Sequence, residues 1–277
     1  MANRYSSDWI LSRSCNAGHT RYISTSFGLP LSRKEGLLYI ASTSTPPNQS
    51  QYSNTSHVTP ENCSTLYIFT ILVSLFSLGR PRKPEDCLIV EEAGIPSWLT
   101  LLRGTRSIIE FSHTALLSGP PGPMFQNELR RVQLREVPSY NRSVEEKQLE
   151  GLQRTISRAT TDQRTLKTYT EVIEELRKSY IVLHNNPHTY EFTDAFIWVL
   201  RVSDEYLQLL NKQIQESLCT FAFFSVVVYQ LSSHWWIEGW GRNLIAQIDL
   251  LLDEEHRSWI QWPLEQIHLD RKSGRPD

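Results

Sequence analysis

FTDAFIWVLRVSDEYLQLLN (residues 192–211) and SLCTFAFFSVVVYQLSSHWWIEGWGRNLIAQIDLLLDEEHRSWIQWPLEQI (residues 217–267) decide the fold. They hold six of the eight tryptophans, Trp198, Trp235, Trp236, Trp240, Trp259 and Trp262. Large rings bury the most apolar area per residue, so a cluster of them at helical spacing marks the densest part of a core or the wall of a pocket. Phe196, Val199, Leu200, Ser203, Leu207 and Leu210 share one stripe, with Asp204 and Glu205 turned outward, which predicts a helix after Phe192-Thr193-Asp194. Phe221 to Leu231 is apolar on every face and predicts burial on every face. Gly239-Trp240-Gly241-Arg242 breaks the chain and opens a further helix through Leu244, Ile248, Leu251 and Leu252. A G-x-G at a helix start can hold phosphate, but the third glycine and a preceding strand are absent, and the pattern reads as a tight corner between helices.

Upstream, Thr161-Asp162 caps a longer helix whose apolar positions, Leu166, Tyr169, Ile173, Leu176, Tyr180 and Leu183, form a short heptad seam. It is too short for a free coiled coil and predicts packing inside one bundle. Asn185-Asn186-Pro187 ends it, separating His184 from His188, so that pair does not read as a metal site. Glu145 to Ile156 is amphipathic through Leu149, Leu152 and Ile156. Glu128 to Glu136 (ELRRVQLRE) is charged, and its arginines Arg130, Arg131 and Arg135 read as those of a surface helix. Before it, a stripe from Trp98 through Leu101, Leu102, Thr105, Ile108, Ile109, Ser112 and Leu116 predicts a helix from Ser97, stopped at Gly119-Pro120-Pro121-Gly122-Pro123. Thr59-Pro60-Glu61 opens an apolar helix that runs to Gly79 and, being apolar nearly all round, is expected inside the bundle. Arg80 to Glu92 reads as a proline-rich solvated loop. Residues 1–57 lack periodicity, and Ser42 to His57 is almost wholly polar; burial cannot offset its ordering entropy, so disorder is expected there, with a flexible tail at 269–277. No fixed repeat and no alternating strand occurs. The class is all-α, an irregular multi-helix bundle over residues 58–268.

At 277 residues and 40% hydrophobic the chain can build a substantial core. Its 28 Lys and Arg balance 30 Asp and Glu, leaving a net charge of −2 and no field for nucleic acid or anionic membrane. Leu66–Leu78 and Leu218–Leu231 are shorter than the ~20 apolar residues a bilayer demands, so both read as core helices and the chain as no integral membrane protein. Cys15, Cys63, Cys87 and Cys219 have no zinc spacing and read as reduced thiols in an intracellular protein. The N-x-S triplets at Asn48, Asn54, Asn62 and Asn141 read as chance matches, Asn62 in the first turn of a helix.

No nucleophile elbow, H-E-x-x-H pair or phosphate loop is present, and no catalytic residue, metal ligand or cofactor is assigned. Asp253-Glu254-Glu255-His256 sets acids beside an imidazole, but adjacent helical residues point apart, and a solvated helix end is the reading.

The strings VTPENCSTLYIF, WLTLLRGTRSIIE, AFIWVLRVSDEYLQLL, HWWIEGWGRNLI and LLDEEHRSWIQWPLEQI, in this order from about Val58 to Ile267, resemble the carboxyl-terminal regulatory domain of fungal zinc binuclear cluster transcription factors, in the group related to sterol uptake control protein. Members carry an amino-terminal zinc module with six cysteine ligands; nothing before Val58 resembles it, so the resemblance implies no zinc here and no direct DNA binding by this chain alone. It implies a ligand-sensing domain acting in the nucleus or cytoplasm, with a sterol or similar lipid in an apolar helical pocket. Phe221, Phe224, Val228, Trp235, Trp236 and Trp240 suit such a pocket, or else they fill the core. The other reading is a helical interaction module that works as a homodimer or as a heterodimer with related factors. An enzyme is not expected.

Overall fold

Steps of three and four between apolar residues resolve into helices throughout the computed structural model, which describes residues 58–80, 89, 96–137 and 143–268. In chain order they are α1 (Cys63–Gly79), α2 (Ser97–Ser118), α3 (Gly122–Leu134), α4 (Val144–Ala159), α5 (Gln163–Asn185), α6 (Phe192–Arg201), α7 (Asp204–Asn211), α8 (Gln215–Tyr229), α9 (Trp240–Leu251), α10 (Glu254–Arg257) and α11 (Gln261–His268). Short 3-10 turns occupy Pro187–Thr189 and Ser258–Ile260. There is no strand among the described residues, and the class is all-α. The expectations for residues 1–57, for most of the Arg80–Glu92 connection and for 269–277 lie outside the described residues.

Caps set the boundaries. Ser143 and Glu146 form a reciprocal capping box at α4, Asp162 accepts from Thr165 N at α5, and Ser203 accepts from Tyr206 N at α7. Thr59 and Asn62 exchange backbone-to-side-chain bonds of 2.8 and 3.4 Å, closing the turn that leads into α1. The Gly119–Pro123 turn ends α2 as expected, but the next helix opens inside it, with Pro123 in its first turn, several residues before the anticipated Glu128. At the other corner, Gly239 takes φ +76° just ahead of α9. A Cβ on Gly241 would lie 2.6 Å from Tyr229 Cβ and 2.7 Å from Ser225 O, so glycine there is what lets α9 lie against α8.

α8 is the axis of the main core: every residue from Ser217 to Val228 is buried. It is wrapped by α5, α6, α7, α9, α10 and α11. The heptad seam of α5 packs within this bundle, with Tyr169, Ile173, Leu176 and Tyr180 buried, and Tyr180 donating to Phe223 O at 2.7 Å. A second, smaller core joins Cys63 and Tyr67 of α1, Ile108 and Leu116 of α2, and Phe125 of α3.

Three expectations are corrected. α1 is not enclosed: its Cys63, Tyr67, Thr70, Ser74 and Leu78 face is buried, whereas Leu72 is 58% and Phe76 78% exposed. A helix of uniform hydropathy carries no sign of which face is covered, and here the covered face, which includes the small Thr70 and Ser74, belongs to a helix packed against α2. The arginines of α3 are not all on the surface: Arg131 and Arg135 turn inward and pair with carboxylates of neighbouring helices. Asp253-Glu254-Glu255-His256 does form a solvated helix end, with Asp253 the exposed N-cap of α10, but Asp253 and His256 meet across that cap, Asp253 Oδ1 lying 2.8 Å from both the His256 backbone N and its Nδ1.

Candidate functional site

Where the two cores meet they leave a cavity of about 770 Å³. α1 contributes Tyr67, Ile71 and Leu75 to its wall, α2 Leu102 and Ile109, and α3 Phe125, Leu129 and Val132. The opposite wall is α6, through Phe192, Phe196, Ile197 and Leu200, completed by Trp236. These rings hold one another: Phe192 stacks on Phe196 at 4.2 Å, Trp236 meets Phe192 edge-on at 5.2 Å, and Tyr67 meets Phe125 edge-on at 5.7 Å.

α6 stands where it does because arginines hold both of its ends. At its start, Arg131 Nε lies 3.0 and 3.1 Å from the two oxygens of the buried Asp194, while Asp194 Oδ2 accepts from Glu191 N at 2.8 Å. At its end, Arg103 Nη1 donates to Val199 O and Val202 O at 3.0 and 2.8 Å, and Arg106 Nη1 to Leu200 O at 3.0 Å, satisfying carbonyls that a helix terminus leaves open. Asp204 then balances Arg103 at 2.6 Å. Behind the wall, Arg135 donates to Ser179 Oγ at 2.7 Å and to Glu175 O and Oε2 at 2.8 and 3.0 Å, tying α3 to α5.

The polar groups facing the cavity include Tyr67 and the charged side chains of Arg106, Glu110, Glu128, Glu175 and Arg201. Tyr67, fully buried, donates its hydroxyl to Glu128 Oε2 at 2.5 Å. Burial pushes the Glu128 carboxyl above the usual range despite that bond. The Tyr67 phenol is pushed up too, by burial and by the charge of Glu128. Arg106 Nε lies 2.6 Å from Glu110 Oε1. Such a chamber can hold an apolar body and address one polar end of it.

Of the six pocket residues expected from the sequence, Trp236 lines this cavity. The others do not. Phe221 and Phe224 lie in the main core, where Phe224 stacks on Trp198 at 4.5 Å and on Phe221 at 5.4 Å. Val228 is buried beside them, and Trp240 packs edge-on to Trp98 at 5.2 Å while donating Nε1 to Leu78 O at 2.9 Å. Trp235 is 81% exposed. The residues that sequence reasoning missed are in α1 and α3. Their signal was present in α3: Phe125, Leu129 and Val132 form an apolar stripe, and Glu128 falls within it.

Among the described residues no three or more His, Cys, Asp and Glu are grouped to hold a metal, and no helix is long and apolar enough to cross a membrane. Compared with known proteins, the chain matches no family model, no curated protein and no solved structure.

Proposed function

We propose that the chain is a ligand-sensing regulatory domain of the type carried by fungal zinc binuclear cluster transcription factors, and that it takes a sterol or a lipid of similar size in the cavity bounded by α1, α2, α3 and α6. The observation that carries the ligand reading is the chamber itself. Its volume of about 770 Å³ falls in the range of roughly 300–1,000 Å³ typical of small-molecule sites, and its wall is mostly apolar. The regulatory reading rests on the ordered sequence blocks from Val58 to Ile267 that resemble that family. Under this proposal the chain binds and does not turn over its ligand, and acts in the nucleus or cytoplasm.

The test is lipid extraction and mass spectrometry of the purified protein, together with saturation binding of a fluorescent sterol. One molecule per chain is expected. Ile109→Trp and Leu129→Trp, which put an indole into the chamber, should each weaken binding by about tenfold or more. Unchanged affinity in both filled variants would remove the site.

A second reading, an interaction module that pairs with a second copy or a related chain, is favoured by the uncharged, exposed face of α1, where Phe69, Leu72 and Phe76 recur at three and four residues. Its test is the oligomeric state in solution.

A further inference from the structure

Resting on the reading of the cavity as a lipid site, we propose that the polar end of its ligand is a protonated amine, seated on the Glu128 carboxylate. Five charged side chains face the chamber: Arg106, Glu110, Glu128, Glu175 and Arg201. Three of them are already balanced. Arg106 and Glu110 lie 2.6 Å apart, and Glu175 is held by Arg135 at 3.0 Å and by Lys178 at 3.2 Å. Arg201 has no ion pair among the described residues, but it is exposed, and water solvates its charge at little cost.

Glu128 differs from the other four. It is partly buried in the same wall as Phe125, Leu129 and Ile71, and its one hydrogen-bond partner among the described residues is the neutral hydroxyl of Tyr67. That bond occupies Oε2 and leaves Oε1 free. A ligand that fills the chamber strips the remaining water from this carboxylate, and a buried charge is costly unless a counter-charge replaces that water. A hydroxyl head donates a hydrogen bond but leaves the carboxylate's charge uncompensated. A carboxylate head adds repulsion. An ammonium supplies both the donor and the opposite charge, so the hydrogen bond and the ion pair act together on the desolvated carboxylate. The tyrosine fixes the rotamer of the acid, so the free oxygen is presented ready for the incoming donor.

The experiment uses the full chain and three probes of equal length, dodecylamine, dodecanol and dodecanoate, each below its micelle concentration, competing with a fluorescent apolar dye. Dodecylamine should bind about tenfold more tightly than dodecanol, with dodecanoate weakest. Glu128→Gln should bring dodecylamine to the level of dodecanol, while Glu128→Asp keeps part of the preference. Equal, saturable binding of amine and alcohol to the wild type overturns the head-group assignment and leaves the cavity reading standing, and this comparison decides even if the variants do not fold. Tightest binding by dodecanoate, lost in Arg201→Gln, overturns it in favour of an anionic head. If none of the three saturates while the fluorescent sterol does, this assignment falls alone; if the sterol does not saturate either, the cavity reading falls and this assignment with it.

Discussion

Arg135 has 1% of its side chain exposed, and its two terminal nitrogens are spent on Ser179 and Glu175. Removing a charge from such a pair leaves its partner buried and uncompensated, so Arg135→Ala should cost about 3–5 kcal/mol in urea unfolding. The double change Arg135→Met with Glu175→Leu should recover most of that, because both charges go together. Acid titration separates two glutamates of opposite sign. Burial raises Glu175, but Arg135 and Lys178 beside it pull harder, and its carboxyl lies below the ordinary value. The stability it contributes is present above the unfolded value of about 4.3 and is lost as pH falls through its lower folded value. Glu128 is raised by burial, so the folded protein takes up its proton before the unfolded chain does. Glu128→Gln should therefore be more stable than the wild type at neutral pH, with the difference shrinking as pH falls through the Glu128 folded value towards about 4.3. The roles of Glu128 and Arg135 were not legible in ELRRVQLRE, because the sequence shows acids flanking arginines but not which of them face a neighbour. The stripe Phe125, Leu129, Val132 did define an inward face, and Glu128 lies on it.

Elements were more legible than contacts. The apolar run of α8 announced burial on all sides, and the glycines at 239 and 241 announced a corner, because a left-handed residue and a close approach each have one cheap solution. The corner glycines Gly239 and Gly241 and the mid-helix Gly151 therefore predict different outcomes in thermal unfolding. Gly241→Ala drives a methyl into Tyr229 and Ser225 O and should cost about 1–3 kcal/mol. Gly239→Ala keeps its space but strains a φ of +76°, a loss of about 1–2 kcal/mol. Gly151→Ala, in the middle of α4 with nothing within 4 Å, should gain about 0.5–1 kcal/mol. The tryptophan cluster was legible as a core and not as a pocket. Rings at 198, 221 and 224 pack against one another until no room is left, whereas the chamber opens where helices from distant parts of the chain, α1 to α3 and α6, fail to fill the space between them. Sequence periodicity reports the faces of single helices, and a void between four of them is a property of their assembly.

At the scale of the molecule, α1 is a partition. Tyr67, Ile71 and Leu75 line the chamber, and Phe69, Leu72 and Phe76 stand on the outer side, on a helix without one charged residue from Cys63 to Gly79. An exposed Leu or Phe gains about 1.5–3 kcal/mol on full burial, against an association cost of order 4–15 kcal/mol, so pairing through this stripe should be weak and concentration-dependent. Sedimentation of the wild type at rising concentration should show a monomer–dimer equilibrium. Leu72→Glu with Phe76→Lys should abolish it without lowering the melting temperature, because both side chains are already in water. A wild type that stays monomeric at about 100 μM sets pairing aside, since a contact weaker than that is below the affinity of ordinary specific complexes. If it does pair, the two faces of α1 share one helix, and a ligand that shifts α1 from inside changes the outer face. Linkage then demands reciprocity: whatever factor the ligand applies to the dimer constant, dimerisation applies to ligand affinity. Measuring both on the same protein, with Leu129→Trp as the ligand-blind control, asks whether occupancy of the chamber is transmitted to a partner through one helix.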